Sequence, residues 1–188
     1  MKIMSFDVSS STIGWAVFNI KNNKINLFDS GFFKPIKKNN IFENLSYVRE
    51  QIKNLLDEYN PDEIAIEEIA RFMPKLSSAN TIIVLALYNR MVGLTVFDHL
   101  KKIPYLYNVM TIRHSIKLSK ELPKKEEIPE LVETILNITL PRKYTKNGII
   151  KSELYDEADA IACGLCHWVK TNNLPLIKIT SSKVRKKK

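Results

Sequence analysis

The stretch Ile3-Met4-Ser5-Phe6-Asp7-Val8-Ser9-Ser10-Ser11-Thr12-Ile13-Gly14-Trp15-Ala16-Val17 decides how the rest of the chain is read. Lys2–Asp7 is a short apolar run that ends at a carboxylate, Ser9, Ser10 and Ser11 make a polar turn, and Ile13–Ile20 is a second β-rich run. Lys21-Asn22-Asn23 is a hairpin signal leading into a third run, Lys24–Phe33. The chain therefore opens as a β-meander whose first strand ends at an aspartate.

Beyond Phe33 the period changes. Leu45, Val48, Ile52, Leu55 and Leu56 recur at helical spacing, which predicts an amphipathic helix over Phe42–Tyr59, stopped by Asn60-Pro61-Asp62. Glu63–Glu67 reads as a buried strand around Ile64-Ala65-Ile66, again ending at carboxylates. After a loop at Phe72-Met73-Pro74-Lys75, Ser78 or Asn80 can cap a long helix running to about Leu100. That helix is apolar on more than one face, which suits a central position or a subunit interface. Its most apolar part, Ile82 to Tyr88, ends at Asn89 and Arg90 and is too short to span a bilayer. Pro104–Val109 is predicted as a strand. Thr111–Glu121 and Glu126–Asn137 are predicted as helices split by Leu122-Pro123, and Arg142–Lys151 as a basic loop. Ser152 can cap a last helix over Glu153–Thr171. A meander followed by alternating elements predicts an α/β fold with one mixed sheet and helices on both faces. The expected organisation is one domain over 1–172 and a basic tail over 173–188.

The 188 residues are 45% apolar and 26% charged, the balance of a soluble globular domain. That excludes a disordered chain, a collagen-like fibre and a disulfide-stapled miniprotein. The net charge is +9, from 29 Lys+Arg against 20 Asp+Glu. Such an excess points to a polyanion, nucleic acid first and an anionic membrane surface second. Six of the basic residues occupy the last eleven positions, so the body alone carries only +3. Met1–Asp7 lacks the pattern of a signal peptide, and the expected location is intracellular, in the cytoplasm. The many Lys, Ile and Asn residues fit an AT-rich genome, of a phage, a virus or a low-GC bacterium. Cys163-Gly164-Leu165-Cys166-His167 matches the C-x-x-C-H string of haem attachment and the C-x-x-C of thiol redox proteins. The helical pattern runs straight through it, which favours two small buried residues. No second Cys/His pair completes a zinc site.

Three carboxylate placements stand apart from the solvated acids of helix surfaces. Asp7 ends one strand, Glu67 or Glu68 ends another, and Asp156 and Asp159 lie in the first turns of the last helix. Strand ends in such sheets border the crevice where ligands bind. Positions three apart on a helix are about 60° apart around it, so Asp156 and Asp159 share a face while Leu154, Ala158, Ile161, Leu165 and Val169 line the core side. Like charges so placed repel unless a cation sits between them. Oxygen-rich hard ligands of this kind suit Mg²⁺ or Mn²⁺, and two such ions would serve phosphodiester hydrolysis. Alternation sends Glu67 and Glu68 to opposite faces, so only one of them can join the site.

These motifs resemble those of the RuvC-like Holliday-junction resolvases. The opening stretch is similar to the family's first motif, Ala65-Ile66-Glu67-Glu68 to its second, and Asp156-Glu157-Ala158-Asp159-Ala160-Ile161-Ala162 to its last, D-x-x-D-A. The resemblance covers the chain to about Lys170. It implies an RNase H-like fold with a five-stranded mixed sheet, and Mg²⁺-dependent cleavage of branched DNA by a homodimer, with Mn²⁺ as a substitute metal and two ions per site. It assigns the ligand roles to Asp7, Glu67, Asp156 and Asp159, and favours Glu67 over Glu68. It also implies that Phe72, in the loop with Lys75, inserts near the junction centre, although Phe72 lies two residues further from Glu67 than in the family pattern. Arg113, Lys117, Lys120, Lys124 and Lys125 are candidate phosphate contacts, as are Arg142 and Lys143 with Lys146. The long apolar helix is the expected dimer interface. Two other readings compete: an RNase H-like nuclease acting on RNA–DNA hybrids or flaps, and a non-catalytic nucleic-acid-binding module, for which clustered acids beside phosphate would be a handicap.

Overall fold

The computed structural model describes residues 1–36, 40–69, 78–148 and 150–173. Within them the elements run β1 (Lys2–Val8), β2 (Ile13–Lys21), β3 (Lys24–Phe33), α1 (Ile41–Tyr59), β4 (Glu63–Glu68), α2 (Ala79–Leu100), β5 (Tyr105–Asn108), α3 (Val109–Ile116), a 3₁₀ turn (Lys125–Glu127), α4 (Ile128–Leu136) and α5 (Glu153–Thr171). The loop at Phe72–Lys75 and nearly all of the expected tail lie outside the described residues.

One five-stranded sheet has the order β3-β2-β1-β4-β5. The meander pairs antiparallel, and β1 pairs parallel with β4, as β4 does with β5. Asn22 and Asn23 adopt positive φ, which the two-residue hairpin between β2 and β3 demands. Strand alternation divides the core. Ile3, Ala16, Phe18 and Ala65 face α3, α4 and α5, while Met4, Phe6, Val17, Ile64 and Ile66 face α1 and α2.

Several expectations about element ends are corrected. The strand after Pro104 stops at Asn108, because the Asn108 carboxamide oxygen accepts from the Thr111 backbone N–H at 2.9 Å and caps α3. Helix α3 closes at Ile116, short of Glu121, where Lys117 turns to an extended conformation. The helix expected over Glu126–Asn137 starts instead as a 3₁₀ turn, with Pro129 in the opening turn of α4. Ser152 precedes α5 but makes no side-chain cap, since its backbone is already helical and the hydroxyl cannot reach forward to the free amides. The cap of α2 is Ser78 rather than Asn80.

Helix α2 extends the apolar run beyond the bounds read from the sequence. Among the described residues it is long and apolar enough to cross a membrane by length and composition alone. The run does not close at Asn89, which is buried and turned inward with Tyr88, Val92 and Val96 against the sheet. Outward, Ile83, Leu87, Leu94 and Phe97 are exposed. The C-x-x-C-H string is a stretch of core helix. Both thiols are free and buried, Cys166 donates to the Ser115 hydroxyl, and both His167 ring nitrogens are occupied, by Tyr107 and by Glu63.

Candidate active site

Strand parity sends two carboxylates, Asp7 and Glu67, to one side of the sheet. Ile3 and Ser5 of β1 face α5, so Asp7 does as well, and Ala65 of β4 carries Glu67 to the same face. Glu68 goes to the other face, where Arg90 of α2 holds it at 2.6 Å. The alternative left open between Glu67 and Glu68 thus has a geometric answer, and only Glu67 shares a face with α5.

The start of α5 is brought to these strands by close backbone approach. Gly14 is the β2 partner of Asp7, and a Cβ there would collide with the Asp156 carbonyl oxygen. Further along, Gly164 leaves no room for a Cβ against the Phe18 ring, and the Ser5 hydroxyl donates to the Ala160 carbonyl at 2.7 Å. This seam fixes where Asp156 and Asp159 point. Their side chains are 14% and 16% exposed on the face opposite Leu154, Ala158 and Ile161.

A cation does sit between them. The Lys125 ammonium lies 3.5 Å from Asp156 Oδ1 and 3.2 Å from Asp159 Oδ2. Burial, then the charges of Glu67, Asp159 and Asp156, push Asp7 well above the usual carboxylate range, against the pull of Lys125. Burial and Asp159 push Glu67 up to about 7, opposed by Lys125 and Arg113. Asp159 is also raised, by burial first and by Asp156, with Lys125 and Arg113 acting the other way. Lys125 itself is raised: burial works against its charge, and Asp159, Asp7 and Asp156 outweigh burial. Asp7, Glu67, Asp156, Asp159, Lys125 and Arg113 are therefore one electrostatic unit drawn from five parts of the chain.

The donor set fits a hard divalent ion. It is built of carboxylate oxygens without sulfur or imidazole, and it already holds a cation. Among the described residues, however, no three His, Cys, Asp or Glu side chains close into a ligand group around a single point.

The other candidates fall into three places. Lys117 and Lys124 line a cleft of about 410 Å³ with Glu121, Glu127 and Glu130; Lys120 is exposed nearby, its carbonyl accepting from the Lys117 ammonium. Arg142 gives both guanidinium arms to Glu133, each at 2.8 Å, so it braces the loop from within. Lys143, on that loop, is exposed with its ammonium 5.8 Å from the centre of the Phe32 ring. Phe72 and Lys75 are outside the described residues. Sequence reasoning put Lys125 among the phosphate contacts and missed its place among the acids. The available signal was the unpaired repulsion of Asp156 and Asp159. Asn89, whose side-chain amide donates to the Glu67 carbonyl at 2.8 Å, was missed entirely.

Comparison with known proteins gives one family for the chain. The family model for crossover junction endodeoxyribonuclease RuvC matches residues 3–167. A protein of that name from Ehrlichia ruminantium is 30% identical over 89% of this chain and 96% of its own length. Its namesake from Finegoldia magna is 25% identical over 89% and 92%. Among solved structures, Thermus thermophilus RuvC in complex with a Holliday junction substrate superposes with a TM-score of 0.70 at 18% identity, covering 92% of this chain and 96% of that one. The fowlpox virus resolvase bound to Holliday junction DNA gives 0.52 at 19% identity, over 91% and 99%.

Proposed function

The chain belongs to the RuvC family of crossover junction endodeoxyribonucleases, and from that premise we propose that it resolves Holliday junctions or closely related branched DNA by metal-dependent phosphodiester hydrolysis. The family implies dependence on a divalent metal. The observation that supports the reading for this chain is that Asp7 feels the charges of Glu67, Asp156 and Asp159, with Lys125 between the two aspartates of α5.

Asp7, Glu67, Asp156 and Asp159 would hold the metal, and the hardness of their oxygens favours two Mg²⁺ ions, with Mn²⁺ as substitute. When bound, the metal supplies an activated water and charge neutralisation at the leaving oxygen. The chain's own residues do the rest. Asp7, on the middle strand and coupled to all three other carboxylates, is the central ligand. The seam of Gly14, Ser5 and Gly164 holds the carboxylates of α5 against the strands, so the site is organised before substrate arrives. Arg113 and Lys125 put positive charge at the edge of the site. Lys117, Lys120 and Lys124 extend it along one side, and Lys143, on the loop braced by Arg142, adds it on another. Phe72 and Lys75 belong to this DNA-facing set by their place after Glu67. Two nicks placed symmetrically need two sites, so the working unit is a homodimer, and the outward apolar residues of α2 supply its interface.

The test is cleavage of a synthetic four-way junction with Mg²⁺ or Mn²⁺, beside duplex, flap and RNA–DNA hybrid controls. Asp7→Asn should abolish cutting and keep junction binding. Cutting of hybrids alone would replace this reading with the hybrid nuclease, and a wild-type rate in Asp7→Asn would remove the ligand assignment.

A further inference from the structure

Glu67 sits at the rim of the sheet. The β1–β4 ladder runs from Ile3 opposite Glu63 to Phe6 opposite Ile66 and ends there, one residue short of Glu67. On the other side Glu67 and Glu68 pair with Tyr107 and Asn108, the last two residues of β5. The strand end that carries a site carboxylate therefore has the sheet on one flank only.

Helix α2 holds this strand end. Asn89 is 2% exposed, and its Nδ2 donates to the Glu67 carbonyl oxygen at 2.8 Å. Its Oδ1 accepts from Arg90 Nη1 at 3.3 Å, and Arg90 Nη2 donates to the Glu68 carboxylate at 2.6 Å. A buried amide in an apolar helix costs free energy unless it is bonded, and the bond made here goes to the backbone of Glu67. Asn89 and Arg90, adjacent in sequence, thus grip adjacent residues of β4, one by its carbonyl and the other by its side chain. Drawing Glu68 toward α2 enforces the alternation that turns Glu67 toward α5.

We propose that Asn89, supported by Arg90, is a positioning residue for Glu67. It locks the end of β4 so that the Glu67 carboxylate stays beside Asp7 and Asp159. This rests on the reading of Glu67 as a metal ligand. Neither Asn89 nor Arg90 touches metal or DNA in this role. Partners that orient ligands in this way are worth about 10- to 100-fold in metal affinity or activity.

The test uses the full-length chain with three substitutions. Asn89→Leu keeps the branching and removes the donor, Asn89→Asp keeps the shape and offers only acceptors when ionised, and Arg90→Met changes a side chain that is 58% exposed. Three quantities are measured: Mn²⁺ affinity of the DNA-free protein by calorimetry, single-turnover junction cleavage, and junction Kd in Ca²⁺. For Asn89→Leu and Asn89→Asp, Mn²⁺ affinity and cleavage rate should each fall about 10- to 100-fold with junction Kd unchanged. For Arg90→Met the same loss should be smaller, about 2- to 5-fold, below the full range because the Asn89 bond survives. A lower Tm with Mn²⁺ affinity and cleavage rate per folded molecule unchanged would make Asn89 a packing residue and overturn the proposal. If both Asn89 variants fail to fold, unchanged Mn²⁺ affinity in Arg90→Met overturns it. A wild-type chain that binds Mn²⁺ but leaves junctions uncut removes the proposed function, and the Mn²⁺ comparison still decides the role of Asn89. A wild-type chain that binds no Mn²⁺ overturns both.

Discussion

Replacing a proposed metal ligand should make the metal-free protein more stable, and Glu67→Gln tests by how much. Burial and the Asp159 carboxylate push the Glu67 carboxyl from its ordinary 4.5 up to about 7, although Lys125 and Arg113 oppose them. Below pH 4.5 the group is protonated in both the folded and the unfolded chain and has no effect on stability. Between 4.5 and 7 the unfolded chain releases the proton while the folded chain keeps it, so stability falls as pH rises. Above 7 the full cost of ionising the buried carboxyl is present. That cost is at most about 3 kcal/mol. That cost is already net of the pull of Lys125 and Arg113, so glutamine, which removes the charge, gives a gain of about 1–3 kcal/mol, or roughly 2–12 °C in Tm for a chain of this size. Thermal unfolding in EDTA at pH 4 and pH 8 measures it. The variant should match the wild type at pH 4 and exceed it at pH 8. Added Mn²⁺ should then raise the wild type and not the variant. An equal difference at both pH values, or a variant less stable at pH 8, would show that the Glu67 charge is not strained by its surroundings.

Gly14→Ala should destabilise the fold by about 1–3 kcal/mol and depress cleavage, because the new methyl meets the Asp156 backbone; wild-type urea midpoint and rate would mean that α5 is not seated on β2. Leu94→Glu, at a position 59% exposed, should give a folded monomer by light scattering, and a persistent dimer mass would place the interface away from α2. Truncation after Leu176 removes the six basic residues of the tail. It should flatten the salt dependence of junction binding, by about 0.9 in the log–log slope for each phosphate that the tail neutralises, while cleavage persists. Loss of all metal-dependent cutting would show that the tail belongs to the catalytic unit.

The strands and the carboxylates were legible because they follow from short periods. Asp7 and Glu67 each end an apolar run, and Asp156 and Asp159 are three residues apart on a helix whose core side is marked by Leu154, Ala158 and Ile161. The choice between Glu67 and Glu68 was not legible from Ile64-Ala65-Ile66, since both faces of that strand are apolar and nothing local says which one meets α5. The structure separates them through partners far away in sequence, Arg90 on one face and the Asp7 cluster on the other. Lys125 was read by its charge alone. Its place among the acids depends on the 3₁₀ turn that brings it to residues 31 and 34 positions further along, and no local pattern encodes that approach. Arg142 was likewise read by its charge alone, and its pairing with Glu133, across the chain reversal after α4, has no local signal either. The unmade cap at Ser152 shows the converse case, in which a favourable residue is present but the backbone is already helical.

The two signs of charge in this protein belong to one device. The four carboxylates and the Lys125 ammonium carry a formal charge of −3 when fully ionised, in a place where phosphate must approach. Burial and neighbouring carboxylates push the carboxyls of Asp7, Glu67 and Asp159 above their ordinary values, against the pull of Lys125. The two divalent ions proposed for the site would reverse the formal charge to about +1. On that proposal the metal-free site would repel DNA and the loaded site would attract it, so metal and DNA would favour one another without any contact between Lys125 and substrate. For this coupling to work the carboxylates must not relax apart when no metal is bound. Gly14, Gly164 and the Ser5 bond to Ala160 prevent that on the α5 side, and Asn89 does the same at the end of β4. The packed seam between α5 and the sheet is therefore what fixes the spacing of the carboxylates.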